Sequence, residues 1–390
     1  MNDLRPVALT AVMMKTFERI ILQHLKSVVP KDPFQFAYLQ GRSVEDATLT
    51  FLHTLHEHLD KLKSYARVLF VDFSSAFNTI QIHILMEKLI KMGINSNIVL
   101  WIRSFLTDRF QYVRFKGEVS HTILINTGAP QGCVLSALLF TLYTHECKSS
   151  SDMCVTLKYA DDTVIIGLLH KDRDTSDTSS YFDEIGRFHR WCDCNFLNLN
   201  VKKTKEMVFD FSKSPHVCPP VIINDEVVEV VNEYKYLGTI IDDKLTGETN
   251  VARICKKANQ RMYFLRKLRD INMDKTIMNL FYKSIVQSVV SFCILCWYGN
   301  LTCRDQKKLN RIVKSAKRLG CTDVMSFHVL YQDLAVNKVN NLMKDQDHIL
   351  CKHYQLLPSR ARLSSIYCRT SRYKNSFVPT SIRTFNGSTL

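Results

Sequence analysis

No secretory leader is expected, since Asp3 and Arg5 stand where an apolar segment would be needed. No apolar run has the length to span a bilayer. The strongest, 285–298, is short and broken by Gln287, Ser288 and Ser291. The 13 cysteines lay out no metal framework. Cys192-Asp193-Cys194 is too tight for most zinc pairs, and Cys293-Ile294-Leu295-Cys296 lies in an apolar run with no second pair after it. These absences exclude a disulfide scaffold, and the cysteines read as buried thiols of a reducing compartment. Internal repeats and low-complexity tracts are also missing. The expectation is a soluble, intracellular protein of the nucleus or cytoplasm, with no membrane partner.

Acid is scarce in the last third. From 250 to 320 there are 16 Lys+Arg against 3 Asp+Glu, and from 351 to 390 there are 7 Lys+Arg and no acid. The formal net charge is +15, so the remainder of the chain is mildly acidic. With 390 residues, 46% of them hydrophobic, the chain is long enough for two or three subdomains. A basic lobe attached to a mildly acidic one suits the grip on a polyanion, nucleic acid above all.

The acids are informative where they do occur. Tyr159-Ala160-Asp161-Asp162 lies between Val155-Thr156-Leu157 and Thr163-Val164-Ile165-Ile166. This spacing predicts a hairpin with two carboxylates at its turn. Val68-Leu69-Phe70-Val71 reads as a strand buried on both faces that delivers Asp72 at its tip. Neighbouring carboxylates repel one another unless a cation is shared. Three of them on two strand ends can hold two Mg²⁺ ions about 3.5–4 Å apart for in-line phosphoryl transfer.

Further motifs occur in order: Arg5-Pro6-Val7-Ala8-Leu9, Gln40-Gly41-Arg42-Ser43, Asp72-Phe73-Ser74-Ser75-Ala76-Phe77 and Gly128-Ala129-Pro130-Gln131-Gly132. After the acid pair come Leu199-Asn200-Val201-Lys202-Lys203-Thr204-Lys205 and Tyr236-Leu237-Gly238. In this order and spacing the chain resembles the reverse transcriptases of non-LTR (LINE-type) retrotransposons, over most of its length. The resemblance implies an α+β right-hand polymerase fold: partial fingers (1–66), a palm with a finger insertion (67–243), a basic helical thumb (244–320) and a basic C-terminal extension (321–390). It implies RNA-directed DNA synthesis from an RNA template, a DNA primer and deoxynucleoside triphosphates, with two Mg²⁺ ions for which Mn²⁺ can substitute.

The resemblance also implies roles. Asp72, Asp161 and Asp162 would be the metal ligands. Arg5, Phe73, Phe77, Gln131 and Gly132 would contact the incoming nucleotide, with Phe77 excluding a 2′-hydroxyl. Lys203 resembles the lysine that protonates the departing pyrophosphate, and Lys205 is its close competitor. Tyr236, Leu237 and Gly238 look like the primer grip. Ala137 stands where these enzymes usually carry proline, which should loosen the start of the helix that follows. Arg5 falls so near the first residue that the upstream finger segment and an N-terminal endonuclease are expected to be missing, as in a 5′-truncated copy.

The alternative is a non-catalytic polymerase-fold remnant that binds RNA or DNA through the basic lobe. An RNA-dependent RNA polymerase shares the metal logic but fits less well, given Ala160 in the acid turn and Phe77 as a sugar gate.

For local structure, Val12, Thr16, Ile20 and Leu25 trace an apolar face on a first helix, and Ala47, Phe51, Leu55 and Leu59 one on a second, with a break at 30–33. Residues 172–180 read as a surface loop and 182–191 as a helix. Val251, Ile254, Ala258, Leu265 and Leu268 form a stripe on a long basic helix, with two more helices near 276–289 and 304–319.

Overall fold

A strand that is apolar at every position needs cover on both faces, and Ser64–Val71 has it. In the computed structural model, which describes residues 7–171, 176–213 and 219–388, this strand is the centre of a five-stranded sheet. Its order is Glu229–Val230, Lys205–Phe209, Ser64–Val71, Asp162–His170, Cys154–Tyr159, antiparallel except for the first pair. Alternation along the central strand sends Tyr65, Leu69 and Val71 into one core, shared with Tyr181, Ile185 and Phe188. Ala66, Val68 and Phe70 enter a second core with Phe51 and Leu55. Arg67 is the polar exception on the first face. It is 1% exposed and makes a two-pronged bond to Glu206 on the neighbouring strand (Nε to Oε1 2.7 Å, Nη2 to Oε2 2.9 Å).

The helix Val44–Leu59 covers the second face. Ser43 and Asp46 form a capping box at its start, and Ala47, Phe51, Leu55 and Leu59 are all buried, as the four-residue spacing predicts. The first helix, Val12–Val28, differs from expectation. Val12, Thr16 and Ile20 face solvent, while Leu25 is buried as expected, together with Glu18 and Ile21. The reason lies in Glu18, whose buried Oε2 accepts the backbone N–H of Leu135 at 2.9 Å. A carboxylate with a backbone donor to satisfy turns the helix away from its most apolar residues. The same bond ties down the start of the helix Ser136–Tyr143, where Ala137 replaces proline. The stretch 172–180 is also not a loop throughout. Its residues 172–175 lie outside the described set, but helix Ser176–Cys194 already includes 176–180, since Ser, Thr and Asp suit a helix's first turn.

Beyond Thr246 the chain is helical. Val251, Ile254, Ala258 and Leu265 of Glu248–Asp270 enter a third core, with Leu268 packed against it. That core continues through Cys303–Arg318 and Phe327–Lys344 to Ile382, so residues 251–382 share one apolar interior. The 285–298 run belongs to a longer helical stretch. Lys275–Trp297 is the one stretch among the described residues with the length and composition to cross a membrane. It contains a π-helical turn at Tyr282–Gln287, and Met278, Tyr282, Val286 and Val290 are buried in the protein's own core.

Two buried histidines make the fold sensitive to acid. Burial holds His56 down to about 3 and His58 to about 4. His58 Nε2 sits between the carbonyls of Tyr65 (3.1 Å) and Leu169 (3.0 Å). Both imidazoles stay neutral in the fold and take up protons on unfolding below about pH 6.5. Stability from these groups is therefore full above that value and falls as pH drops towards 4, by roughly 1.4 kcal/mol per pH unit for each. Urea midpoints at pH 7 and pH 5 measure it, and an unchanged midpoint would contradict it.

Candidate active site

The hairpin predicted around Asp161 is present: Cys154–Tyr159 pairs with Asp162–His170, and Tyr159 faces Asp162 across a two-residue turn. Ala160 takes a positive φ of 57° to close it. The central strand pairs Val71 with Thr163, so the next residue along, Asp72, comes level with Asp162. Register alone thus sets Asp72 beside the acid turn. Phe73 bridges to Leu199, and the N–H of Asn200 donates to the Asp72 carbonyl at 2.9 Å, so the Leu199–Lys205 motif closes over the same strand end.

Electrostatics report the same convergence. Burial pushes the Tyr234 phenol up to about 12, and the carboxylates of Asp162 and Asp72 push in the same direction. Asp161 adds to the burial that raises Tyr38. The acid turn rests on a segment that reads in the sequence only as a break between helices. Gln35 Oε1 accepts the N–H of Ala160 at 3.2 Å, and Asp32 forms a buried ion pair with Lys158 at 2.7 Å. Neither Gln35 nor Asp32 has a local signal, because each finds its partner more than a hundred residues away.

Phe77 lies in a short 3₁₀ turn, Ala76–Asn78, its ring 4.9 Å from that of Phe140. The Gly128–Gly132 segment is fastened to this turn: the N–H of Gly128 donates to Ile80 and that of Ala129 to Phe77, both at 2.8 Å. Gly128 has φ +70°, and a Cβ there would lie 2.7 Å from the Asn78 Cα, so glycine is required by the close approach. Phe77 and Gln131 are thereby carried on one unit. The Gln131 carbonyl in turn accepts the N–H of Ala8 at 2.7 Å, and Gly132 lies against Val7. Arg5 lies outside the described residues.

The two candidate lysines separate. Lys205 is tied to Glu229 at 2.6 Å and to the Lys202 carbonyl at 2.7 Å. Lys203 is exposed, and among the described residues its ammonium makes no ion pair. Tyr236-Leu237-Gly238 closes a second hairpin, Glu233–Tyr236 with Thr239–Asp242, with φ 45° at Leu237 and 91° at Gly238. Tyr236 is buried between Phe51 and Phe70, so its ring anchors the hairpin to the core instead of facing solvent. Tyr234, unremarked in the sequence, stacks on Phe70 at 4.1 Å. Its signal is the Tyr-x-Tyr that precedes Leu237-Gly238.

Asp72, Asp161 and Asp162 offer only oxygen donors on adjacent strand ends, a chemistry that suits Mg²⁺ or Mn²⁺ over softer ions, but their ligand atoms do not all lie within 4.8 Å of one another. Asp72, Asp161 and Asp162 are the residues that would hold such a pair.

Known proteins resemble this chain over most of its length. Residues 1–241 match the model of the family "Reverse transcriptase (RNA-dependent DNA polymerase)", and 248–288 match one described as "Alkylated DNA repair protein alkB homolog 8, N-terminal". The chain is 26% identical over 380 residues to the probable RNA-directed DNA polymerase from transposon X-element of Drosophila melanogaster, covering 94% of this chain and 41% of that protein. It is 26% identical over 360 residues to the RNA-directed DNA polymerase from mobile element jockey of the same species, covering 88% and 38%. The chain thus spans about two fifths of the length of these curated relatives. Among solved structures, a telomerase from Candida albicans in complex with a fragment of telomeric RNA is similar at a TM-score of 0.41 and 13% identity, over 85% of this chain and 52% of that one. With the family model matching well over half of its residues, the chain belongs to the reverse transcriptase family, its relatives are those of LINE-type mobile elements, and its α+β fold is that of a right-hand polymerase.

Proposed function

We propose that this chain carries the RNA-directed DNA polymerase activity of a LINE-type element. The 3′-hydroxyl oxygen of a DNA primer attacks the α-phosphorus of a deoxynucleoside triphosphate, a P–O bond forms, and pyrophosphate leaves. The observation that carries this reading is the register that brings Asp72 level with Asp162 beside the Asp161 turn. Bound there, two Mg²⁺ ions would neutralise the triphosphate and favour the ionised primer hydroxyl. The chain's own part is positioning. Phe77 and Gln131, fixed together through Gly128, would set the sugar and base of the nucleotide. Lys203, without the partner that occupies Lys205, is the better placed proton donor to the leaving group. The hairpin at 236–238 would hold the primer end. Residues 67–243 would act as palm and 244–320 as thumb.

RNA and DNA binding is supported by the outer faces of Glu248–Asp270 and Cys303–Arg318. Lys256, Lys257, Arg266, Lys267, Arg311 and Lys314 are all exposed there, on the sides turned away from the core. Extension of a DNA primer annealed to RNA, with deoxynucleotides and Mg²⁺, tests the proposal. A chain that shifts labelled RNA in a salt-sensitive way but never extends a primer would be the binding remnant instead.

Phe77→Val checks the sugar gate. The variant should incorporate ribonucleotides with a relative kcat/KM about ten-fold or more above that of the parent, since a smaller side chain makes room for the 2′-hydroxyl. Equal discrimination by both proteins would make Phe77 a packing residue of the Phe140 contact.

A further inference from the structure

His53, Glu57 and His353 meet on the side of the Val44–Leu59 helix that faces away from the sheet. His53 and Glu57 are four residues apart on that helix, so both side chains leave on one face. His353 comes from the 3₁₀ turn Ile349–His353, three hundred residues further along the chain. The two Nε2 atoms are 3.0 Å apart, and Glu57 Oε2 is 3.9 Å from His53 Nε2. One donor atom from each of the three lies within 4.8 Å of the others. The imidazoles meet edge to face, with ring planes inclined at 72°.

We propose that His53, Glu57 and His353 form a zinc site, separate from the polymerase acids, that joins the C-terminal lobe to the helix behind the palm sheet. Two imidazole nitrogens and one carboxylate are a donor set suited to Zn²⁺, with water as the fourth ligand. Tetrahedral bonds of about 2.0–2.1 Å need nitrogens about 3.3 Å apart, so only a small opening of the His53–His353 contact is required. His53 is 6% exposed, His353 is half-buried and Glu57 is 47% exposed, which leaves the carboxylate side open to solvent for entry and for the water. Burial also keeps His53 and His353 neutral, the state in which imidazole binds a metal. Lys352 acts as a like charge on both imidazoles and His56 on His53, while Glu57 opposes Lys352 at His353. The Nδ1 atom of His53 is buried with no hydrogen-bond partner, and the ring lies 6.0 Å from that of Tyr373.

The test uses the full chain carrying Asp161→Asn and Asp162→Asn, so that the polymerase acids add little. Equilibrium dialysis against Zn²⁺ should give one ion per chain, and Co²⁺ in its place should show the visible bands of a low-coordinate nitrogen and oxygen site. Glu57→Gln and His353→Ala should each weaken binding ten-fold or more. Glu57 stands half in solvent, so its substitution leaves the fold intact. Zn²⁺ should also raise the Tm of the parent and not of His353→Ala. No retained zinc, zinc retained equally by both variants, or a cobalt–thiolate band in the near ultraviolet would overturn the proposal. In the first case the pair is a plain N–H···N hydrogen bond; in the last, cysteines hold the metal.

Discussion

The Asp161→Asn, Asp162→Asn double substitution is expected to reduce primer extension by at least on the order of 10³-fold, with RNA affinity and Tm close to those of the parent. The size follows from the proposed role. Removing a group that stabilises charge only in the transition state typically costs on the order of 10²–10³ in rate, and here two adjacent carboxylates go together. The stability half follows from position. Asp161 lies in the turn itself and Asp162 is exposed, while the hairpin around them is held by ladder bonds, by Gln35 and by the Asp32–Lys158 pair. Gel-based extension, filter binding and a thermal melt on the same preparation measure all three. If extension survives, the acids are not the metal ligands; if RNA affinity falls in parallel, the basic helices are not the principal grip.

The second large effect falls on stability. Glu206→Gln is expected to destabilise the protein by about 3–5 kcal/mol, because it leaves the Arg67 guanidinium charged inside the first core without its counter-ion. Around the pair, Tyr181 donates to Glu206 at 3.2 Å, Arg67 Nη2 donates to the Pro219 carbonyl at 2.8 Å, and the rings of Tyr181 and Phe182 flank the guanidinium. Replacing both partners, Arg67→Met with Glu206→Leu, should recover most of the loss, since no unpaired charge remains. Urea titrations of the single and double variants decide it. A single variant as stable as the parent would mean that water reaches the pair.

Local pattern made the strands that carry the acids legible. Val68–Val71 is apolar throughout because both faces are covered, and Asp161-Asp162 stands out because β-branched residues flank it on each side. The same local reading chose the wrong face of the first helix. There Glu18 is buried to meet Leu135, and a partner so far along the chain leaves no trace in the helix's own periodicity. Gln35, Asp32 and Arg67 were invisible for the same reason: each is a polar residue whose warrant is a distant partner. The loop expected at 172–180 misjudged a helix start, where residues that favour turns also favour the first turn of a helix. The 285–298 run seemed too short because Gln287 and Ser288 interrupt it, yet both sit within the longer helical stretch.

The helix Val44–Leu59 is translated well before the residues that hold its two ends. At its start, Asp46 is held by His348 at 2.9 Å and by Lys338 at 2.6 Å. At its end, Asp60 receives the backbone N–H groups of Arg369 (2.7 Å) and Thr370 (2.8 Å). Every one of these partners is translated about three hundred residues later. A nascent chain can assemble the sheet while its supporting helix still lacks its polar anchors, and such a state persists until the segment around 370 has left the exit tunnel. A message that ends before that point yields the acid-bearing strands on an unclasped support. Emergence of residues 338–370 is thus the event that supplies the polar anchors of this helix.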